Sequence, residues 1–162
     1  MKVLEPAPAV SIDVDFCAWL DDQASALRRL RPGALDWENL AEELEAMGRG
    51  EENALESHLT NLLIHLLKWR YQPNKRTGSW EATIENSRDH ITQLLQRSPS
   101  LKCKIDDAFW RAYRYARREA GGQMGLTKRE WERCLPVSCE WSLKTACDDD
   151  FWPDSSDSPI EN

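Results

Sequence analysis

Apolar residues recur along this chain at the three-to-four-residue spacing of an α-helix. The spacing predicts helices over about 14–31, 36–72, 79–97 and 100–120, followed by short C-terminal helices. The sequence contains neither the two-residue alternation of a half-buried strand nor a hairpin turn signal. The expected fold class is therefore all-α, a single-domain helical bundle in which other helices pack around one long central helix.

The segment 36–72 carries the longest helical pattern. Its apolar positions form a stripe that lapses at Glu51 and then resumes in phase: Trp37, Leu40, Leu44, Met47, Leu55, His58, Leu62, Leu66 and Trp69. A second row at Leu59, Leu63 and Leu67 widens the apolar face, so we expect the portion 59–71 to be covered on more than one side. Gly48 and Gly50 each weaken a helix by roughly 1 kcal/mol relative to Ala. Because the phase is kept across them, we predict one continuous helix.

Capping and breaking residues set the expected helix ends. The predicted N-caps are, in order, Ser11 or Asp13, Asp36, Ser79, Ser98, Thr127 and Ser138. The predicted stops are Pro32-Gly33, Pro73, Ser98-Pro99, Gly121-Gly122 and Pro136. Among these signals, Thr127 to Glu130 has the sequence of a capping box, which specifically favours a short fifth helix.

The length of 162 residues, 41% of them hydrophobic, is enough for one domain with its own core. We expect a flexible lead-in at 1–12, a single all-α domain at 13–153 and a disordered polar tail at 154–162. No stretch has the length of a membrane span, and the N-terminus lacks the apolar run of a signal peptide. The five cysteines are odd in number and contain no Cys-x-x-Cys pair. We therefore expect a reduced, cytoplasmic protein without a membrane partner.

Charge is unevenly distributed along this acidic, tryptophan-rich chain, which has a net charge of −7 and eight Trp. Residues 1–67 hold 5 Lys and Arg against 13 Asp and Glu, residues 68–133 hold 15 against 8, and residues 134–162 hold 1 against 7. A basic middle with acidic flanks is compatible with a nucleic-acid site. We favour the simpler interpretation that the acidic flanks neutralise the basic middle within the fold.

Signatures of catalysis are missing from the sequence. There is no Gly-x-Ser-x-Gly motif, no phosphate-binding glycine loop and no cysteine with a local activating base. His58 and His65 share a helix face, but neither has the Glu three residues earlier that metal-binding bundles use. We expect neither a cofactor nor a metal site, and we keep a metal-dependent enzyme using His65 only as a weak alternative.

Two basic segments are candidate binding sites. The turn before the third helix places Lys75, Arg76, Thr77 and Ser79 at a helix N-terminus, where free N–H groups favour an anion. The fourth helix combines Trp110 with Arg111, Arg114 and Arg118, the residue types that predominate at protein interaction hot spots and also contact nucleic-acid phosphates. Asp107 lies four residues before Arg111, and we expect these two side chains to form a helical ion pair.

Four stretches resemble one known family. They are FCAWL at 16–20, LAEELE at 40–45 ahead of Gly48-Arg49, HLLKWRYQP at 65–73 followed by Ser79-Trp80, and DFWP at 150–153. Together they resemble the bacterial family of uncharacterised helical proteins catalogued as domain of unknown function 29, over about residues 13–153. The resemblance implies a small helical bacterial protein. It carries over neither a reaction nor catalytic residues, because the family is defined by sequence alone.

The function expected from these observations is a non-enzymatic one. We expect a helical protein that binds an unknown protein partner or a second copy of itself. The alternative is anion or nucleic-acid binding through residues 68–79 and 111–118, for which the basic middle of the chain is the main support.

Overall fold

Helices account for all the regular structure in the part of the chain described here, residues 10–30 and 36–154 of the computed structural model. The α-helices are α1 (Phe16–Leu30), α2 (Trp37–Tyr71), α3 (Gly78–Arg97), α4 (Ile105–Gln123), α5 (Lys128–Cys134) and α6 (Leu143–Ala146). Two short 3-10 helices, Pro73–Lys75 and Pro99–Cys103, precede α3 and α4. The predicted all-α fold is confirmed. The predictions for residues 1–9, for the Pro32-Gly33 stop and for the tail from 155 lie outside the described residues.

The long helix α2 is unbroken over its 35 residues, so the prediction of one continuous helix is confirmed. At 1.5 Å per residue it is about 52 Å long. Charged side chains occur along it, and no helix within the described ranges is apolar enough over a sufficient length to cross a bilayer.

Contacts group the chain into two compact units, and α2 and α3 contribute residues to both. The first unit contains α1, α2 up to Ala54, and residues 93–103. The second contains α2 from Leu55, α3 up to Thr92, and residues 104–154. Each unit is described in turn.

In the first unit, the buried row of α2 differs from the predicted stripe. Leu40 and Met47 were expected inside, but they are 43% and 50% exposed, whereas Ala41 is completely buried. Gly48, seven residues after Ala41, faces Leu20 of α1. The inward-facing row of α2 therefore carries small residues here, and the larger side chains of Leu40 and Met47 lie beside it.

Asp15 joins the start of α1 to the 3-10 helix at Pro99–Cys103. Its carboxylate accepts hydrogen bonds from the Ala18 N–H and the Ser100 hydroxyl, both at 2.9 Å, and from the Ser100 N–H. The helix cap is therefore Asp15, and the prediction of Ser11 or Asp13 was wrong, because α1 begins only at Phe16. Burial alone would raise the pKa of Asp15, but the hydrogen bonds from Ala18 and Ser100 outweigh it and lower this pKa.

In the second unit, the later part of α2 is buried on nearly every side, as predicted for 59–71. The buried side chains, each at most 4% exposed, are Leu55, Leu59, Leu62, Leu63, Ile64, Leu66 and Leu67. Ala108, Ala112 and Ala116 of α4 are also buried, so they lie on the inner face of this helix. Small side chains along that face let α4 pack closely in the core.

Arg88 of α3 holds the C-terminal segment of the second unit. Its guanidinium donates to the carbonyl oxygens of Ala146 (3.1 Å), Asp149 (3.2 Å) and Phe151 (2.6 Å), and it lies 5.4 Å from the centre of the Trp152 ring. The side chain is 1% exposed. Burial lowers the pKa of Arg88, while the nearby Asp149 opposes that shift. A buried cation of this kind requires the carbonyls to stay in place, so the segment is fixed by it.

Three further predicted helix ends, in α4 and α6, are corrected by the structure. The fourth helix was predicted over 100–120, but residues 99–103 form the 3-10 helix held by Asp15, and α4 starts at Ile105. Gly121 and Gly122 lie inside α4 instead of closing it. Gly125, with φ at +79°, ends the helix, and the hydrogen bonds from Gly125 N to Gly122 O and from Leu126 N to Gly121 O form a Schellman motif. The sixth helix is capped by Ser142, whose hydroxyl accepts from Thr145 N, and not by Ser138.

We expect the variant Asp15→Asn to be less stable than the natural protein at pH 7 by about 1–2 kcal/mol, because the charged cap and its bond to Ser100 are weakened. A carboxyl whose pKa is lowered by folding stabilises the fold above its unfolded pKa, near 3.9, and loses this effect as the pH falls through its folded value. The stability difference between the two proteins should therefore shrink in urea unfolding at pH 3. Asp21→Asn, at an exposed position of the same helix, is the control. A difference that is the same at both pH values would contradict this role of Asp15.

Candidate functional site

The predicted anion site at Lys75, Arg76, Thr77 and Ser79 is only partly brought together. Arg76 turns back to the end of α2, where its Nε donates to the Trp69 carbonyl at 2.9 Å and its guanidinium lies 4.8 Å from the Trp69 ring centre. Thr77, and not Ser79, takes the cap position of α3, and its hydroxyl lies 3.4 Å from Trp80 N. Lys75 and Ser79 are exposed. Anion binding here stays a prediction, with Arg76 engaged elsewhere.

The histidines of α2 are engaged by their neighbours. His65 Nδ1 lies 2.9 Å from the Asn61 carbonyl, and burial lowers the pKa of His65 despite this bond. The His58 ring stacks on His90 of α3 at 4.6 Å between ring centres, and burial, with His90 adding to the effect, lowers the pKa of His58. Within the described ranges, no three His, Cys, Asp or Glu side chains converge on a position that could hold a metal ion. The metal hypothesis for His65 stays a prediction without a set of ligands in this part of the chain.

The fourth-helix candidates Trp110, Arg111 and Arg114 lie together along a surface groove, which we call the α4–α5 groove. Its volume is about 600 Å³. The lining residues are Asp107, Trp110, Arg111, Arg114 and Arg117 of α4, Trp131 of α5, and Val137. The first four recur at i, i+3, i+4 and i+7, so they share one face of the helix. Arg118 is the exception among the predicted residues, because it lies outside the groove with its guanidinium 5.8 Å from the Tyr115 ring centre.

A glycine sets the separation of the two helices that form the groove. A Cβ atom placed on Gly121 would lie 2.5 Å from Trp131 Cβ, far inside van der Waals contact. Only glycine therefore allows the backbone of α4 to approach Trp131 this closely. The connection is short, because the Schellman motif ends α4 and the predicted capping box begins α5. That box is confirmed, since Glu130 accepts from both the N–H and the hydroxyl of Thr127, at 2.7 and 2.6 Å.

Two polar side chains of α4 hold the chain after α5 against the groove. Arg117 donates through Nε and Nη2 to the Leu135 carbonyl, at 3.1 and 2.8 Å, and through Nη2 to the Glu132 carbonyl at 2.8 Å. Its guanidinium also lies 5.0 Å from the Trp131 ring centre. The Tyr113 hydroxyl, which is buried and has a raised pKa for that reason, donates to the Pro136 carbonyl at 2.7 Å. These bonds fix the backbone that carries Val137.

The charges of the groove are unequally satisfied. Arg111 binds Glu56 of α2, with Nε 2.8 Å from Oε2, so the expected ion pair between Asp107 and Arg111 is not the one that forms. Arg117 is engaged by carbonyls and by Trp131. Asp107 and Arg114 are both exposed, and neither forms a hydrogen bond or an ion pair with another described residue. The groove therefore offers one anionic and one cationic group to a ligand.

Sequence reasoning missed Trp131 and Val137 as members of this site, and it included Arg117 only as part of the segment 111–118. Arg117 lies seven residues after Trp110, so its helical spacing was an available signal. Trp131 and Val137 come from a different element, and nothing in their local sequence shows that they face α4. Gly121 is the one sequence signal for this contact with α4, since a glycine inside an otherwise helical pattern often marks close packing.

Together these elements define a small all-α protein with an aromatic and cationic groove on its second unit. The family model described as "Domain of unknown function DUF29" matches residues 12–152. The match covers most of the chain, so the protein belongs to this family, and the resemblance inferred from sequence is confirmed. The family description states no reaction, ligand or partner. No curated protein and no solved structure matches the chain.

We expect Gly121→Ala to lower the free energy of unfolding by about 1–3 kcal/mol, because the added methyl group overlaps Trp131 and forces α4 and α5 apart. Gly122→Ala is the matched control. A Cβ at Gly122 meets no atom within 4 Å, and Ala favours a helix over Gly by up to about 1 kcal/mol. Urea unfolding should therefore show a lower free energy of unfolding for Gly121→Ala and an unchanged or higher one for Gly122→Ala. Equal effects of the two substitutions would show that the close contact with Trp131 does not set the helix spacing.

Proposed function

We propose that this protein is a non-enzymatic binding protein and that it holds a segment of a partner protein in the α4–α5 groove. The observation that carries the proposal is the half-exposed Trp110, which lies in a groove beside a second tryptophan and three arginines. Trp and Arg are the residue types that contribute most to protein–protein hot spots.

Exposure of apolar surface in the groove supports this proposal. Trp110 is 51% exposed and Val137 is 77% exposed, although most other large apolar side chains of the second unit are buried. Covering such surface stabilises a complex by roughly 25 cal/mol per Å². The volume of about 600 Å³ lies in the range of cavities that enclose a small ligand or a few side chains of a peptide.

Charge favours a protein segment over a nucleic acid as the ligand. A phosphate backbone is bound by a row of available cations. In this groove Arg111 and Arg117 already have partners, and Asp107 would repel phosphate. The net charge of −7 would oppose a polyanion further. Nucleic-acid binding through 68–79 and 111–118 is therefore the alternative that the experiment below also measures.

For its location we propose the cytoplasm, in a bacterial cell as the family resemblance suggests. The support is that all five cysteines are free thiols. Burial raises the pKa values of Cys139 and Cys147 to about 11, which keeps both thiols protonated and unreactive at neutral pH.

The proposal is tested by selection from a displayed library of random 12-residue peptides, followed by anisotropy measurements on the enriched sequences. A labelled single-stranded RNA of 12 nucleotides is titrated in parallel. We expect enriched peptides to bind the natural protein, and Trp110→Ala to weaken them about tenfold or more, as for a hot-spot residue.

Tyr115→Ala is the matched control, because Tyr115 is a 55% exposed aromatic residue of the same helix that does not line the groove. Its effect on the affinity should stay within about twofold. The proposal fails if no peptide is enriched, if Trp110→Ala and Tyr115→Ala have the same effect, or if only the RNA binds. Sedimentation at several concentrations, run on the same samples, shows whether a second copy is the partner.

A further inference from the structure

We propose that the α4–α5 groove selects a segment that carries both charges, with a cationic residue at one end, an anionic residue at the other and an apolar residue between them. This inference rests on the proposed function and specifies the ligand of the same groove. It is carried by the two charged groups of the groove whose hydrogen-bonding capacity is unused in the described structure, Asp107 and Arg114.

The other cations of the groove do not compete for the anionic end of the ligand. Arg111 is neutralised by Glu56 at 2.8 Å. Arg117 donates through Nε and Nη2 to the Leu135 and Glu132 carbonyls, and its guanidinium lies 5.0 Å from the Trp131 ring centre. Arg114 is thus the cation that is left to receive a carboxylate, and its planar guanidinium can bind both carboxylate oxygens.

The opposite end of the groove is anionic because of Asp107. Asp107 and Arg114 are seven residues apart on one face of α4, which corresponds to about 10.5 Å along the helix axis. In an extended peptide the side chains at i, i+2 and i+4 point the same way, and the outer two are separated by about 13 Å. The flexible Arg114 side chain can cover the difference of a few ångströms.

The middle of the groove is apolar on this account. Trp110 lies between Asp107 and Arg114 in the sequence of α4, and Trp131 and Val137 line the same groove. An aliphatic side chain at i+2 would contact the exposed Trp110 while the flanking charges bind Asp107 and Arg114. A segment with two acidic residues would place one of them beside Asp107, and a segment with two basic residues would place one beside Arg114. In both cases two like charges would repel each other.

Three labelled peptides of equal length test this inference on the full-length protein. Each has a central Leu, flanked two residues away on both sides by Lys and Asp, by Asp and Asp, or by Lys and Lys. The natural protein should bind the mixed-charge peptide about fivefold more tightly than the other two, as expected for one exposed ion pair. Asp107→Lys should then prefer the doubly acidic peptide, and Arg114→Glu the doubly basic one.

Asp106→Lys and Arg118→Glu are the matched controls, because they make the same charge changes on α4 outside the groove and should keep the natural ranking. The inference is overturned if the natural protein binds a peptide of one charge sign at least as tightly as the mixed one, or if neither groove variant changes the ranking. Equal binding of all three peptides that still depends on Trp110 would overturn the charge selection and leave the proposed function standing. If none of the three binds, the inference fails, and the library selection decides separately on the proposed function.

Discussion

The close packing of Gly121 against Trp131 is the constraint on which the candidate site depends. Any larger residue at 121 would overlap the tryptophan, so the spacing of α4 and α5 is set at this point. The Schellman motif at Gly125 and the capping box at Thr127 then leave only a short connection between the helices. With the separation fixed, the Arg117 guanidinium reaches the carbonyls at the end of α5, and Trp131 is held across the groove from α4.

The Lys and Arg side chains of the second unit have mostly uncharged partners. Several of them lie against tryptophan rings and donate to neutral acceptors. Lys68, for example, is 4.3 Å from the Trp80 ring centre and donates to Gln123 at 3.0 Å, and Arg88 is held by carbonyls and Trp152. The basic middle of the sequence is therefore neutralised only in part by carboxylates, as in the pairs Arg70–Glu140 and Arg111–Glu56. Aromatic faces and carbonyl oxygens hold others, such as Arg76, Arg88 and Arg117, whereas Arg114 has no partner among the described residues.

Features of the fold that depend on residues close together in the sequence could be predicted, and features that depend on packing between helices could not. The capping box at Thr127 and the phase of α2 are local patterns, and both predictions are confirmed. The buried row of α2 was misplaced because it carries Ala41 and Gly48, and the pattern was built from large apolar residues.

The site was harder to predict because its members come from different elements. Trp110, Arg111 and Arg114 share a helix face and could be grouped from their spacing. Glu56 replaced Asp107 as the partner of Arg111, and a contact between residues so far apart in sequence has no signal in local spacing. Trp131 comes to the groove because the turn at Gly125 follows α4. The sequence did not predict this turn, because the Gly121-Gly122 pair indicated an earlier end of the helix.

The central claim, that the α4–α5 groove is the binding surface, is tested most directly by NMR. The eight tryptophans give eight indole N–H signals, which can be assigned by single substitutions and followed during titration with the mixed-charge peptide. The account predicts that the signals of Trp110 and Trp131 shift together and saturably, while the others stay in place. Saturable shifts confined to tryptophans outside the groove, such as Trp19 or Trp37, would contradict it.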